Sequence, residues 1–133
     1  MEIRRRPPFP VAIECPMPKR ILLVDDNRDS VEALAALLEF EGHEVRCVFD
    51  AREALLTVQS FEPDVAFVDW KLPDMSGGQL LTQFKRDPRM ANTRFILLSG
   101  FVDPDMASDA NGARFDQSLT KPVQLADLLS CIR

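Results

Sequence analysis

No stretch of the 133 residues comes near the ~20 consecutive apolar positions that a bilayer-spanning helix needs. The N-terminal arginines have no apolar segment behind them, so the pattern of a secretory signal is missing. Cysteine is scarce. Cys15, Cys47 and Cys131 are odd in number, far apart and form no CxxC. That excludes a disulfide framework and points to a reduced, cytoplasmic setting. Histidine occurs once, at His43. A soft-metal centre needs several His or Cys donors, and a histidine kinase core would need a better-placed histidine. No GxxxxGK[ST] is present, which removes P-loop nucleotide chemistry. Basic residues are outnumbered, 16 Lys/Arg against 21 Asp/Glu, so no broad nucleic-acid surface is expected.

What is present is the composition of one globular domain, with 46% apolar and 28% charged residues. The charge is uneven. Residues 1–20 hold five Lys/Arg and two Asp/Glu, while the remainder holds eleven and nineteen. Five of the ten prolines precede Lys19. Proline gives no N–H to a sheet and interrupts helices. Residues 1–19 therefore read as a Pro-rich basic linker or N-terminal arm, and 20–133 as the folded domain.

From Lys19 onward apolar runs alternate with helical periods. "ILLV", "DVAFVD" and "RFILLS" are continuous apolar runs, the mark of strands buried on both faces. "EVRCVF" and "ARFDQS" are diluted with polar residues and suit sheet edges. Between them, Val31, Leu34, Ala35 and Leu38 share one helical face. Asn27 is placed to cap that helix, and Gly42 to end it in a left-handed conformation. "AREALLTVQS", "GGQLLTQFKRD", a polar helix in "DPDMASDANG" and "QLADLLSCIR" complete five β–α units. This predicts an α/β flavodoxin-like, doubly wound, five-stranded parallel sheet in the order 2-1-3-4-5, with helices on both faces.

In such a sheet ligands bind beyond the carboxyl ends of the strands. Those ends carry Asp25 and Asp26, Asp69, Ser99 with Gly100, and Lys121 before Pro122. Each residue alone has an ordinary explanation, such as a turn serine or an acid pair at a helix start. Together they predict one rim. Clustered carboxylates repel unless a cation sits among them. Oxygen donors suit Mg²⁺, with Mn²⁺ as the alternative. Asp69 stands apart at the sheet centre and is the candidate nucleophile for an aspartyl phosphate. Lys121 would neutralise charge, the Ser99 hydroxyl would bond a phosphoryl oxygen, and Gly100 would leave the approach open. His43 reads as a surface turn residue, Met75 as loop packing, and Trp70 as core or lip.

These motifs, "LLVDDN", "VDWKLPDMSG", "LLSG" and "LTKP", stand in the order and at the spacing of a known family. From about Arg20 to Arg133 the chain resembles the CheY-like receiver domain of two-component response regulators. The resemblance implies that Asp69 accepts phosphate from a histidine kinase or a phosphotransfer protein. It implies Mg²⁺ on Asp25, Asp26, Asp69 and the backbone carbonyl of Lys71. It makes Ser99 the switch hydroxyl and Lys121 the conserved-role lysine, with a cis peptide before Pro122. Phosphate would then reset a face made of the fourth helix, fifth strand and closing helix. In the family pattern Tyr or Phe stands three residues before the lysine; here it is Ser118. Arg114 stands where the pattern has glycine.

The expected activity is a switch that catalyses only its own phosphorylation and dephosphorylation. It would be a stand-alone receiver or the receiver of a hybrid histidine kinase. No nucleic-acid or membrane contact by this chain is expected, and a homodimer stays open. The rival readings are a phosphorylation-independent interaction module with the same fold and a Mg²⁺-dependent phosphatase. The second would resemble the haloacid dehalogenases, whose D-x-D the adjacent Asp25–Asp26 pair does not match.

Overall fold

The computed structural model describes residues 18–100 and 114–132. Five strands form one parallel sheet: β1 (Arg20–Val24), β2 (Glu44–Val48), β3 (Val65–Asp69), β4 (Arg94–Ser99) and β5 (Gln117–Thr120). Their order is β2-β1-β3-β4-β5, as the burial of the apolar runs requires. Four α-helices are described: α1 (Arg28–Phe40), α2 (Ala51–Thr57), α3 (Gly77–Lys85) and α4 (Leu125–Ile132). The helix expected within 103–112 lies outside the described residues. α4 is the closing helix expected in "QLADLLSCIR".

The continuous runs are buried because both of their faces are covered. Leu22, Val24, Ala66, Val68, Phe95 and Leu97 point to one side, against Ala51 and Ala54 of α2 and Leu80, Leu81 and Phe84 of α3. Ile21, Leu23, Val65, Phe67, Ile96 and Leu98 point to the other, against Val31, Ala35 and Leu38 of α1 and Leu128, Cys131 and Ile132 of α4. Period-two alternation within each strand thus feeds two apolar layers. Phe84 and Phe95 stack at 5.5 Å between centroids in the first layer.

The local signals act as expected at α1. Asn27 caps it through Ser30, and Gly42 turns the chain at φ +100°. Two expectations change. The fifth strand runs over Gln117–Thr120 rather than 113–118. Phe115 is drawn into the first core layer, and Asp116 clamps the chain to β4 beforehand. The Phe95 N–H donates to Asp116 Oδ2 at 2.8 Å, and the Asp116 N–H donates to the Phe95 carbonyl at 2.8 Å. Pairing therefore starts later, at Ile96↔Gln117, and carries the strand end to Lys121.

His43 is the second correction. It does sit in the helix-to-strand turn, but it is buried rather than on the surface, with 6% of its area exposed. Its Nδ1 accepts the Lys19 N–H at 3.0 Å, tying the chain entering β1 to the start of β2. Burial lowers its pKa foremost, with Lys19 acting in the same direction and Glu41 against it.

Candidate functional site

The carboxyl ends of β1, β3, β4 and β5 meet at one rim. Val24 pairs with Val68, and Asp69 with Leu98, so Asp25 and Asp69 emerge side by side. Asp25, Asp26 and Asp69 each offer a carboxylate oxygen, and these atoms lie within 4.8 Å of one another. Asp25 and Asp69 are buried, whereas Asp26 faces solvent. The Asn27 N–H donates to Asp25 Oδ1 at 2.9 Å. One asparagine thus caps α1 with its side chain and orients a rim carboxylate with its backbone.

Lys121 reaches into this group from the end of β5. Its Nζ lies 2.9 Å from Asp25 Oδ2 and 3.3 Å from Asp69 Oδ1. The Lys121 N–H donates to the Ser99 carbonyl at 2.7 Å, and the peptide to Pro122 is cis, as the resemblance implied. Burial works against the ammonium, but the hydrogen bond to Asp25 and the charges of both carboxylates outweigh it and raise its pKa. Asp69 moves up from the ordinary carboxylate range. Burial is the first cause and the charge of Asp25 the second, opposed by Lys121 and by the Lys71 N–H. Two buried carboxylates share one ammonium, so the site is short of positive charge.

That shortage, with donors that are all oxygen, fits a hard divalent cation. The three carboxylates would hold it, with the Lys71 carbonyl as a further ligand. A cleft of about 550 Å³ opens over them, lined by Asp26, Asp69, Trp70, Lys71, Ser99, Gly100 and Lys121. Ser99 is buried at its wall and Lys71 is exposed. Trp70 is both core and lip: it packs on the first apolar layer and lines the cleft. Met75 is packed on the same layer, as loop packing requires.

One expected residue does not join the cleft: Ser118 is exposed on β5, opposite Leu97 in the register, and does not line it. Gly100 does line the cleft, and a Cβ there would meet no described protein atom within 4 Å. A close backbone approach is found at Gly77. A Cβ on Gly77 would lie 2.6 Å from the Asp69 carbonyl oxygen. The Gly77 N–H donates to the Trp70 carbonyl at 2.7 Å. The "SGG" before a helical period was the available signal, but it carries no hint of which backbone is approached. Asp74 carries no periodicity signal, yet its carboxylate accepts the Ala51 N–H at 3.0 Å and the Arg52 N–H at 2.9 Å.

Among the described residues no helix is long and apolar enough to cross a membrane. Residues 21–133 match the family model of the response regulator receiver domain. The chain is 33% identical over 117 residues to the response regulator MprA of Mycolicibacterium vanbaalenii, covering 88% of this chain and 50% of that protein. It spans half or less of the length of several other curated relatives it matches. A receiver domain protein (CheY-like) from Methanospirillum hungatei superposes with a TM-score of 0.77 at 34% identity, over 87% of this chain and 91% of that one. A response regulator from Burkholderia pseudomallei, whose structure contains a phosphorylated aspartic acid, a calcium ion and citrate, superposes with a TM-score of 0.76 at 27% identity. That match covers 86% of this chain and 66% of that one. With its sheet order, its acidic rim and a match over nearly the whole folded part, the chain belongs to the response regulator receiver domain family.

Proposed function

We propose that residues 20–133 act as a phosphorylation switch whose acceptor is Asp69, preceded by an arm over residues 1–19. The observation that carries this reading is the Asp25–Asp26–Asp69 cluster with Lys121 bridging its two buried members. In the Burkholderia relative, an aspartic acid is phosphorylated.

The chemistry follows from the groups present. An Asp69 carboxylate oxygen forms the O–P bond as the N–P bond of a phosphohistidine donor breaks. The electron pair of that bond leaves with the imidazole nitrogen. Burial and Asp25 already disfavour the bare Asp69 anion, and the acyl phosphate carries more negative charge still, so the site needs cations on both sides of the phosphoryl group. Asp25, Asp26, Asp69 and the Lys71 carbonyl would hold Mg²⁺, which when bound neutralises charge on the phosphoryl oxygens. Lys121 stays protonated throughout and supplies a second positive charge at hydrogen-bond distance. The Ser99 hydroxyl would donate to a phosphoryl oxygen from the cleft wall. The donor is a histidine kinase or a histidine phosphotransfer protein. The chain turns over no substrate besides its own aspartyl phosphate, and it works in the cytoplasm.

Phosphate on Asp69 would bias two arrangements of the face around β5 and α4. Ser118 is exposed and small, so the signal does not pass through an aromatic at that position.

The test uses the full chain with Mg²⁺ and acetyl phosphate, followed by intact mass and Trp70 fluorescence. One base-labile phosphate, lost in Asp69→Asn, is expected. No adduct would favour a phosphorylation-independent interaction module. Multiple turnover of a phosphoester would favour a phosphatase.

A further inference from the structure

The segment between Asp69 and α3 is held at two ends by different devices. At its base, the Gly77 N–H donates to the Trp70 carbonyl, and Lys71 pairs with Ser76 as an isolated antiparallel bridge. Ser76 caps α3 through a reciprocal pair with Gln79, with bonds of 3.1 and 2.9 Å. At its apex, Asp74 leaves this local system. Its Oδ1 accepts from Ala51 at 3.0 Å and its Oδ2 from Arg52 at 2.9 Å, across more than twenty residues of chain. One side chain of the loop therefore takes two amides of α2.

α2 does not require this carboxylate for a cap of its own. Asp50 already serves as N-cap, accepting the Glu53 N–H at 2.7 Å, and Glu53 accepts the Phe49 N–H at 2.9 Å. The first two amides of the helix remain, and they are the pair Asp74 takes. Meanwhile Lys71, at the start of the same loop and two residues past the acceptor, lines the cleft beside Asp69. The connection is short: Asp74 holds the exposed apex, Leu72 and Met75 pack partly buried on the core layer, and Lys71 lines the cleft beside Asp69.

We infer that Asp74 is a positioning residue for the acceptor site. It straps the Lys71–Ser76 loop to the N-terminus of α2 and so fixes where the Lys71 N–H and carbonyl stand relative to Asp69. The inference rests on the reading of the acidic cluster as a Mg²⁺ site. Partners that orient a ligand from behind commonly cost ten- to a hundredfold in metal affinity when removed.

The experiment titrates Mg²⁺ into the full chain while following Trp70 fluorescence. Wild type is compared with Asp74→Ala, Asp74→Asn and Asp64→Ala. Asp64 is a control at the opposite end of the sheet, where its carboxylate accepts the Arg20 N–H at 2.8 Å. Asp74→Ala is expected to weaken Mg²⁺ roughly tenfold. Asp74→Asn keeps one acceptor oxygen and replaces the other by an NH2 that cannot accept, so its loss should fall between wild type and Asp74→Ala. Asp64→Ala should lose thermal stability without changing Mg²⁺ affinity.

A metal-free readout accompanies the titration: amide hydrogen exchange at Lys71, Ala51 and Arg52 should accelerate roughly fivefold in Asp74→Ala, the scale of a lost cap. Unchanged affinity or unchanged Lys71 exchange in Asp74→Ala overturns the inference. Equal losses in the Ala and Asn variants also overturn it, since charge alone would then explain them. If wild type itself does not respond to Mg²⁺, the metal reading falls, and this inference falls with it. Should Asp74→Ala not fold, Asp74→Gly carries the same comparison.

Discussion

Replacing Lys121 by Met keeps most of the stem and removes the ammonium that bridges Asp25 and Asp69. The Nζ is 2.9 Å from one carboxylate and 3.3 Å from the other. With an effective dielectric near 20, each contact is worth about 5 kcal/mol of gross Coulomb energy. The net loss is much smaller, because the ammonium recovers its hydration. Breaking a buried pair costs about 3–5 kcal/mol, since the partner charge is left behind. The Lys121 side chain is 31% exposed, so water screens it and the lower end applies, roughly 2–3 kcal/mol. For a domain of this size that is a fall of about 10 °C in Tm.

The pH dependence has a definite sign. Burial and Asp25 already raise the Asp69 pKa above its ordinary value of 3.8, and losing Lys121 raises it further. The folded state then binds more protons than the unfolded state between those values, so stability falls as pH rises through that window. The deficit of Lys121→Met should therefore be largest near pH 7 and shrink toward pH 4–5. Millimolar Mg²⁺ should shrink it too. Thermal melts at several pH values, with and without Mg²⁺, check this. A deficit that is the same at pH 5 and pH 7, and indifferent to Mg²⁺, would refute the charge argument.

Gly77→Ala should cost about 1–3 kcal/mol by overpacking, because the added Cβ would meet the Asp69 carbonyl at 2.6 Å; denaturant melts read this, and Mg²⁺ affinity should fall with it. His43 is buried with its Nδ1 as acceptor and its pKa lowered, so its contribution is complete above its ordinary value of 6.5 and is lost as pH falls toward the folded value; the decline in Tm below pH 6.5 should flatten in His43→Gln. The Cys47 thiol is pushed up to about 11, first by burial and then by Glu32 and Glu39, so at pH 8 iodoacetamide should modify it far more slowly than a free thiol, as mass spectrometry will show. The exposed ammonium of Lys71 borders the cleft, where it can pair with a phosphoryl oxygen on Asp69; Lys71→Ala should shorten the phosphate half-life roughly two- to fivefold, the range of an exposed ion pair.

Much of this protein is legible in one dimension. Three continuous apolar runs and two diluted ones determine which strands are central and which are edges, because a strand covered on both faces has no use for polar positions. The site residues are legible for a related reason: in a parallel sheet the strand ends share a rim, so a polar residue at the end of a buried run is placed without knowing any contact. Asp25, Asp69, Ser99 and Lys121 were located in that way. What tertiary structure alone decided are the relations between segments far apart in sequence. His43 is buried because Lys19 arrives beside it. β5 begins late because Asp116 first satisfies Phe95. Gly77 is pressed against the backbone of Asp69 because α3 starts there. The exposed carboxylate of Asp74 reaches the first two amides of α2. A hydrogen bond or a short contact depends on coordinates from both partners, and periodicity supplies only one.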